Sequence, residues 1–347
     1  MNYIGSKLSL LDFIEKSVDE VTGGNYESVC DLFAGTGAVG RRFKRKGKHI
    51  IANDIQFYSF VLNRHYIGNS KPLGFAGLEN VIPELNNSTS RPEAVCEYLS
   101  SLEGGEGFIY QNYCLGGSNQ RQYFSDENGK LCDSVRSKID AWKSENLIND
   151  DEYFFLLCSL LESIDKVANT ASVYGAYLKA LKKSAQKKLK ITPAEILLSE
   201  AKHSVYNDDA NKVAKENHVD VLYLDPPYNQ RQYATNYHLL ETIAKNDNPE
   251  IHGKTGLRNY DDQKSQYSSR AQVKAAFADL IKNAKAKYIF LSYNNEGLLD
   301  LEYIKEVMSS RGHYGYFTQE YQRFKADSKR EYLANKTVEY LHYVVCE

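Results

Sequence analysis

The strongest constraint on how this chain folds is a stretch, 219–224, that is apolar except for Asp220 and ends abruptly in the sequence Asp-Pro-Pro-Tyr at Asp225–Tyr228. A short apolar run bounded by turn residues is typical of a strand that is buried in a sheet. Proline has no backbone N–H and a fixed φ, so two prolines in succession form a stiff segment whose carbonyl oxygens are free to accept hydrogen bonds. The sequence therefore predicts a buried strand followed by a carboxylate and a rigid turn.

This strand end carries groups suited to an exocyclic amine of a nucleobase. The lone pair of such an amine is delocalised into the ring, so a site that alkylates it needs acceptors aimed at the N–H bonds. The carboxylate of Asp225 is one acceptor, and the carbonyl of Pro226 is the second. Tyr228 offers an aromatic face on which an extruded base would stack, a contact worth about 1–3 kcal/mol. The alternative interpretation is an ordinary strand-ending turn, because Asp and Pro are common turn residues.

A glycine-rich turn near the start of the chain predicts a second ligand site. The segment Ala34–Gly40 follows a predicted strand, precedes a helix and fits the pattern G-x-G-x-x-G from Gly35 and Gly37 onward. Asp54 follows Gly35 by 19 positions at the end of the next strand, where a carboxylate accepts hydrogen bonds from two ribose hydroxyls. Taken alone, this segment suits NAD and S-adenosylmethionine equally well. The Asp-Pro-Pro-Tyr strand end favours the methyl donor.

Four segments, in family order, make the chain resemble adenine-specific DNA methyltransferases that form N6-methyladenine, the class that includes Dam-like enzymes. The segments are Tyr3–Lys7, Asp31–Gly37, Asn207–Ala210 and Asp225–Tyr228. The first begins with Tyr3, where Dam-like members often have Trp. The segments leave residues from about 68 to 200 uncovered, and in this family the region between the cofactor and catalytic motifs commonly carries target recognition.

The resemblance implies S-adenosylmethionine as the methyl donor and no metal. The residues expected to bind the donor are Tyr3, Lys7, Asp31, Phe33, Gly35, Gly37, Asp54, Ile55 and Asp209. Tyr3 and Lys7 border either the methionine end of the donor or the target pocket, and Asp208 is the alternative to Asp209 at the adenine ring amine. The catalytic residues implied are Asp225, Pro226, Pro227 and Tyr228.

The expected substrate is double-stranded DNA with the target adenine flipped out of the helix. Arg231 is expected to contact phosphates of the target nucleotide, and Tyr233, Asn236 and Tyr237 are expected to line the base pocket. A lysine-rich segment, 179–190, is a candidate phosphate contact, although a solvated helix face explains it equally well. Its candidate lysines are Lys182, Lys183, Lys187 and Lys188. The formal net charge of −2 argues against DNA binding, and this clustering answers that objection only in part.

The order of predicted strands and helices favours an α/β protein with a Rossmann-like, S-adenosylmethionine-dependent methyltransferase fold. Strands at 28–33, 49–53 and 287–292 join the strand before Asp225 in a doubly wound, largely parallel sheet. Ligands of such sheets bind at the carboxyl ends of the strands, so the glycine turn and the Asp-Pro-Pro-Tyr segment are expected to converge.

We expect a catalytic domain made of residues 1–67 and 201–347 and an inserted, mainly helical target-recognition subdomain at 68–200. Helical periodicity over 135–142 and 153–167 indicates helices in the insert. Specific base recognition is expected there, because the core motifs leave little surface for reading several base pairs.

Four further segments carry predictions. The residues 7–20 predict an amphipathic helix, and Gly315–Phe324 with Thr337–Cys346 predicts a terminal antiparallel hairpin. Gly116–Phe124 is a candidate base-reading loop, with an ordinary surface loop as the alternative. Asp247–Tyr267 is polar and long, and is predicted to be a mobile loop over the site; it is the alternative location of sequence recognition.

Composition narrows the setting without naming the activity. The chain has no run of 18 apolar residues and no signal-peptide pattern, so we expect a soluble cytoplasmic protein. The resemblance to DNA methyltransferases implies a prokaryotic protein that acts on DNA, in a restriction–modification system with a cognate restriction endonuclease. The six cysteines include no C-x-x-C pair and predict reduced, mostly buried thiols. Rival functions are methylation of adenine N6 in RNA, methylation of a glutamine amide in a protein, nicotinamide-dependent oxidoreduction and noncatalytic DNA binding.

Overall fold

The chain folds into two units, one built around a large sheet and one mainly helical. The computed structural model describes residues 5, 7–295, 297–322 and 336–347. The sheet unit contains the described residues of 4–63, 199–234 and 261–347, and the helical unit contains those of 64–198 and 235–260. Tyr3, which is expected to border the donor, lies outside the described residues.

Nine strands form in the described residues. They are β1 (Ser28–Asp31), β2 (His49–Asn53), β3 (His203–Tyr206), β4 (His218–Leu224), β5 (Ile251–His252), β6 (Leu257–Arg258), β7 (Lys285–Asn294), β8 (Gly312–Gln322) and β9 (Lys336–Cys346). Seven of them form one sheet in the order β3-β2-β1-β4-β7-β9-β8, and β5 pairs with β6 in the helical unit. The first five strands of the large sheet are parallel, whereas β9 runs antiparallel to both β7 and β8.

Eleven α-helices accompany these strands in the described residues. They are α1 (Leu11–Thr22), α2 (Ala38–Arg45), α3 (Phe57–Asn63), α4 (Arg91–Ser100), α5 (Phe108–Tyr113), α6 (Asp126–Ser144), α7 (Asp150–Lys166), α8 (Ala210–Glu216), α9 (Tyr233–Lys245), α10 (Val273–Asn283) and α11 (Leu301–Ser309). Among these described helices, none combines the length and the apolar character that crossing a membrane requires.

The parallel sheet changes direction between its two central strands. From β1 the chain moves outward to β2 and β3 on one side, and from β4 it moves to β7 on the other. The two strands are in register, with Asp31 opposite Tyr223. Such a switch point is where ligands of doubly wound sheets bind. The prediction of a Rossmann-like methyltransferase fold is confirmed.

The core explains why β4 has a continuous apolar run. Its last four residues, Val221–Leu224, are all buried, because helices cover both faces of a parallel sheet. α8 and α10 contribute Val213 and Phe277 to the same apolar cluster. All six cysteines are free thiols, and five are buried, as predicted.

Several predicted elements occur with altered limits. The helix predicted over 7–20 is α1, and the terminal pair of strands pairs as β8 and β9 in the antiparallel arrangement expected. Phe324, the predicted end of the first strand of that pair, lies outside the described residues. The lysine-rich segment 179–190 is not a helix but a series of turns. Within Asp247–Tyr267, predicted as a mobile loop, the structure has the hairpin β5–β6 and a 3-10 turn at Asp261–Gln263, and a second 3-10 turn begins at Gln266.

Candidate active site

The Asp-Pro-Pro-Tyr segment follows β4 directly, as the sequence predicts. Asp225 comes after the last residue of β4, and its side chain is about 20 % exposed. Pro226 is buried, whereas Pro227 and Tyr228 are half-buried. The carbonyl of Tyr228 accepts a hydrogen bond from Leu298 at 3.1 Å, and its ring packs against the core of the sheet unit. The segment is therefore fixed at its far end while the carboxylate keeps some access to solvent.

Asp225 shares a buried cation with a second carboxylate. The ammonium of Lys7 lies 3.1 Å from Asp225 and 2.8 Å from Glu339. The hydroxyl of Ser292 donates a further hydrogen bond to Glu339, whose side chain is buried. Residues from the N-terminal motif, β7 and β9 therefore meet beside the end of β4.

Burial and the neighbouring charges shift the pKa values of Asp225 and Lys7. Burial raises the pKa of Asp225 to about 6, with the Lys7 ammonium opposing the rise and the charge of Glu339 adding to it. Burial acts to lower the pKa of Lys7, but the carboxylates of Asp225 and Glu339 outweigh it and hold that pKa well above its ordinary value. Lys7 therefore stays charged, and Asp225 gains or loses its proton close to neutral pH.

The glycine turn after β1 is held by the carboxylate of Asp54. Gly35 donates its N–H to one oxygen of Asp54 at 2.8 Å, and Gln56 donates to the other at 2.8 Å. Gly37 has φ +74°, and a Cβ there would lie 2.5 Å from the amide oxygen of Asn63. The amide nitrogen of Asn63 donates to the carbonyl of Gly35 at 3.0 Å. The turn thus needs glycine at position 37 for both its backbone conformation and its space.

Asp31, at the end of β1, is a buried carboxyl group in the same place. Its side chain accepts a hydrogen bond from Gly40 at 3.0 Å. Burial chiefly, together with the charges of Asp225 and Asp54, raises the pKa of Asp31 to about 7, and the hydrogen bond from Gly40 opposes that rise. Three carboxyl groups therefore lie near one another where β1, β2 and β4 end. Such a grouping attracts a cation.

An aromatic contact connects the glycine turn with the acidic motif before α8. The rings of Phe33 and Tyr267 meet edge to face, with centroids 5.0 Å apart, and the Tyr267 hydroxyl donates to Asn211 at 2.7 Å. Asp209 is exposed and caps α8 by accepting the N–H of Lys212 at 3.1 Å. Burial, and next the charge of Asp209, raise the pKa of Tyr267. Asp209 therefore lies near the aromatic pair.

Asp208 has a different environment from Asp209. Its carboxylate pairs with the side-chain ammonium of Lys212 and accepts the backbone N–H of Asp209 at 2.8 Å. Because Lys212 already neutralises Asp208, the geometry favours Asp209 as the acceptor for a ligand beside Phe33. Ile55, the neighbour of Asp54, is half-buried.

The residues expected around the target base separate into two groups. Arg231 is exposed in the sheet unit, and Tyr233 of the same unit lies close to Gly5, where a Cβ would be 3.2 Å from the Tyr233 hydroxyl. Asn236 and Tyr237 belong to the helical unit and are buried there. Tyr237 also interrupts α9 with φ −126° and ψ 19°. Burial of Asn236 and Tyr237 favours packing over contact with a base.

The candidate lysines also differ in exposure. Lys183, Lys187 and Lys188 are exposed, but Lys182 is half-buried and donates from its ammonium to the carbonyl of Thr170 at 2.7 Å. Three cations of this set therefore remain on the surface. A second basic segment, Arg41–Lys48, follows the glycine turn, and its Arg42 and Lys46 pair with acidic residues of α1.

Glu339 and Ser292 are the residues that sequence reasoning missed. Glu339 is a single carboxylate inside a segment, Thr337–Cys346, that otherwise has the apolar and aromatic composition of a strand. A charged residue at a buried strand position needs a partner of opposite charge. That mismatch is the signal that points to Glu339.

The arrangement fits a methyltransferase: a glycine turn held by the carboxylate of Asp54 lies beside an Asp-Pro-Pro-Tyr segment at the end of the neighbouring strand. Residues 3–307 match the model of the D12 class N6 adenine-specific DNA methyltransferases. The chain belongs to this family. It is therefore an enzyme of the adenine-specific DNA methyltransferase type.

The relatives agree with this assignment. The chain is 50 % identical over 346 residues to the type II methyltransferase M.NlaIII of Neisseria lactamica, covering 99 % of this chain and 98 % of that protein. It is 33 % identical over 349 residues to M.CviAII of Paramecium bursaria Chlorella virus 1, covering 100 % and 99 %. It is 38 % identical over 350 residues to M.FokI of Planomicrobium okeanokoites, covering 99 % of this chain but 52 % of that protein, about half its length.

Family membership decides between the functions that the motifs left open. It supports methylation of adenine N6 in DNA over methylation of RNA. It also removes nicotinamide-dependent oxidoreduction, which the glycine turn alone would permit.

Proposed function

We propose that the chain uses S-adenosylmethionine to methylate adenine N6 at specific sites in double-stranded DNA, with the target base rotated out of the helix. The observation that supports this most directly is the placement of two ligand-suited strand ends side by side. The glycine turn follows β1 and Asp225 follows β4, and these strands are neighbours at the switch point of the sheet. A donor and an acceptor bound at these two ends would meet without further rearrangement of the sheet.

The residues around the glycine turn fit S-adenosylmethionine, which when bound supplies a methyl group on a positively charged sulfonium. The three carboxyl groups of Asp31, Asp54 and Asp225 suit a cationic ligand. Gly35 and Gly37 both have positive φ, which gives the tight turn that lets a backbone approach a ligand closely. We assign Asp54 to the ribose hydroxyls and Asp209 to the amine of the donor's adenine ring.

Other assigned residues are uncharged and would line the donor site. Phe33 and the glycine turn border the methionine end, with Gly35 and Gly37 giving close backbone approach and Ile55 adding an apolar side. The family resemblance places Lys7 either at the methionine end of the donor or at the target pocket. Because it contacts Asp225 and Glu339 directly, we assign it to the target pocket.

On the target side, Asp225 and the carbonyl of Pro226 would accept the two N–H bonds of the amine and direct its nitrogen lone pair. Tyr228 would stack on the ring, and Pro227 keeps the segment stiff. Transfer to nitrogen leaves a proton to be lost. Asp225, with a pKa of about 6, is able to take that proton on a carboxylate oxygen. Positioning supplies most of the rate enhancement, since no covalent enzyme intermediate is required.

The proposed division of labour follows the chain. Residues 1–67 and 201–347 carry the chemistry, except for the hairpin β5–β6, which lies in the helical unit and joins 68–200 in target recognition. Arg231, Lys183, Lys187 and Lys188 would contact phosphates, and Tyr233 the target pocket. Because the relatives bear names such as type II methyltransferase and modification methylase, we place the chain in a restriction–modification system, with a cognate restriction endonuclease, in the cytoplasm.

The deciding experiment supplies S-adenosylmethionine with a labelled methyl group and unmethylated double-stranded DNA to the purified chain. We expect labelled N6-methyladenine after digestion to nucleosides, and no label in an RNA duplex of the same sequence. Label in RNA alone, or in cytosine, would contradict the proposal. Fluorescence of 2-aminopurine at the target position should rise on binding if the base leaves the stack.

A further inference from the structure

Two exposed tips of the helical unit are attached to one buried arginine. The first tip is the loop 115–120, in which Leu115, Ser118, Asn119 and Gln120 are exposed. The second is the tip of the β5–β6 hairpin, residues 252–255, in which His252 and Lys254 are exposed. Arg121 immediately follows the first tip, and its side chain reaches the second.

The guanidinium of Arg121 connects the tips through backbone carbonyl groups. It donates to Asn112 at 3.0 Å, to Gly253 at 3.1 Å and to Lys254 at 3.1 Å. Arg121 is only 9 % exposed, so these bonds satisfy a cation that burial would otherwise destabilise. A planar group with donors on three sides is suited to holding several carbonyls at once.

A second contact fixes the hairpin in the same position. The buried hydroxyl of Tyr113 donates to the carbonyl of Gly256 at 2.8 Å. Gly256 has φ +68°, and a Cβ there would lie 2.8 Å from the Tyr113 ring and 3.0 Å from Arg121. Only glycine fits this turn, because both its backbone and its neighbours exclude a side chain.

The first tip contains a backbone conformation that non-glycine residues seldom adopt. Gln120 has φ +50°, although its side chain is exposed and it is not a glycine. Strain of this kind persists where the surrounding structure holds it, and it is concentrated at binding sites. The N–H of Gln120 donates to the carbonyl of Gly117 at 3.3 Å, and Arg121, held by its three carbonyl partners, follows Gln120 directly.

We propose that the loop 115–120 and the hairpin tip 252–255 form one base-reading surface for double-stranded DNA, with Arg121 as the residue that positions the two tips. The inference rests on the proposed function and names its specificity element. From the sequence alone the two segments are competing locations, and the Arg121 contacts make them parts of a single surface.

The side chains on the two tips match the chemistry of base edges in the major groove. Gln and Asn amides each pair a donor with an acceptor, as adenine N6 and N7 require, and Lys donates to guanine O6 and N7. A two-stranded ribbon such as β5–β6 has the width to enter that groove. Gln120 and Lys254 are therefore assigned to base contacts, whereas Arg121 contacts no base and acts through the tips.

The test compares the sites methylated by the wild type and by three variants. Gln120→Ala and Lys254→Ala remove exposed side chains, and Arg121→Lys keeps the charge but loses the planar fork. Lys282→Ala, which removes an exposed lysine of the sheet unit, is the control matched to Lys254→Ala. Long-read mapping of N6-methyladenine in DNA from expressing cells gives the ratio of methylation at the recognised sequence to methylation at sequences differing by one base pair.

We expect Gln120→Ala and Lys254→Ala each to lower this ratio about tenfold or more at one position of the recognised sequence, the effect of removing one good hydrogen-bonded pair with a base. Arg121→Lys should relax several positions together, while a thermal melt shows a folded protein. An unchanged ratio in Lys254→Ala, or a change equal to that in Lys282→Ala, would overturn the inference while wild-type methylation stands. Absence of N6-methyladenine with the wild type would overturn the proposed function as well.

Discussion

The ammonium of Lys7 lies 2.8 Å from the carboxylate of Glu339 and 3.1 Å from that of Asp225, so one buried cation serves two carboxylates. When all three groups are ionised, the cluster keeps one net negative charge. Glu339 therefore neutralises much of the positive charge that Lys7 would otherwise present to Asp225. This relationship makes the proton affinity of Asp225 depend on a residue that need not touch any substrate.

Glu339→Gln should shift the pH dependence of methyl transfer to lower pH. Asp225 must be ionised to accept an N–H of the amine and then its proton, so activity falls as the pH drops through its pKa of about 6. Removing the charge of Glu339 lowers that pKa, because Lys7 then favours the ionised form alone. Single-turnover rates between pH 5 and 8 measure the shift. Ser292→Ala, which removes a hydrogen bond but no charge, is the control, and an identical profile in Glu339→Gln would refute this role.

Asp225→Ala should abolish most methyl transfer, by about a hundredfold or more, while donor binding remains. The variant leaves Lys7 paired with Glu339, so no buried cation loses its only partner. The loss should therefore concern catalysis and not folding. Methyl incorporation and calorimetry with S-adenosylmethionine separate the two effects. Turnover near that of the wild type would exclude Asp225 as the acceptor for the amine.

Asp54→Ala should weaken binding of S-adenosylmethionine. Each charge-assisted hydrogen bond to the ribose contributes about 1.5–3 kcal/mol. The loss of affinity has a second cause: Asp54 accepts the N–H groups of Gly35 and Gln56, so its removal also loosens the glycine turn. Asp54→Asn retains one acceptor oxygen and should show an intermediate loss. Titration calorimetry measures all three proteins, and equal affinities would remove Asp54 from the donor site.

Affinity for S-adenosylmethionine should rise with pH between about 5 and 8. Burial first, and neighbouring charge next, raise the pKa of Asp31 to about 7, and Asp225 has a pKa of about 6. Below these values the carboxyl groups are neutral and attract no cation, and above them they are ionised. A bound cation favours the ionised forms, so binding near pH 6.5 should release protons. Calorimetry in buffers of different ionisation enthalpy detects that release, and Asp31→Asn should reduce it.

Replacing Lys183, Lys187 and Lys188 together by Ala should weaken binding to all DNA sequences alike. These exposed lysines are assigned to phosphates, which carry no sequence information. The slope of log affinity against log salt should become shallower by up to about 3, since each lysine that no longer neutralises a phosphate reduces it by about 1. Lys182→Ala is a useful contrast, since Lys182 is bonded to Thr170 and should affect stability more than the slope. Unaltered salt dependence in the triple variant would move the phosphate contacts elsewhere.

The parts of the site that the sequence predicts are set by near neighbours along the chain. Asp54 and Asp225 each follow a buried apolar strand directly, and a parallel sheet brings such strand ends together without any further information. Glu339 is different, because 332 positions separate it from Lys7. No local sequence pattern indicates which distant strand pairs with β7. The ion pair between Lys7 and Glu339 is therefore seen only in the folded sheet.

The start of α6 shows a different limit. Asp126–Gly129, with the sequence Asp-Glu-Asn-Gly, has the composition of a loop turn, but it is the first turn of the helix, and Ser125 caps it by accepting the N–H of Asn128. Turns and helix starts favour the same short polar residues, so composition alone does not separate them. Within the helix, position 129 requires glycine because a Cβ there would lie 2.2 Å from the sulfur of Cys114.

The position of β9 affects how the enzyme is made. β9 lies between β7 and β8 in the sheet but is synthesised after both. During translation the large sheet therefore lacks the strand that joins β7 to β8. The open edge of β7, with Tyr288 and Phe290, is then available to other chains, as is typical of aggregation-prone nascent proteins. Glu339 enters with the same strand. Translation must therefore pass residue 339 before Lys7 has both partners, and a prematurely terminated chain would lack the charge that sets Asp225 for catalysis.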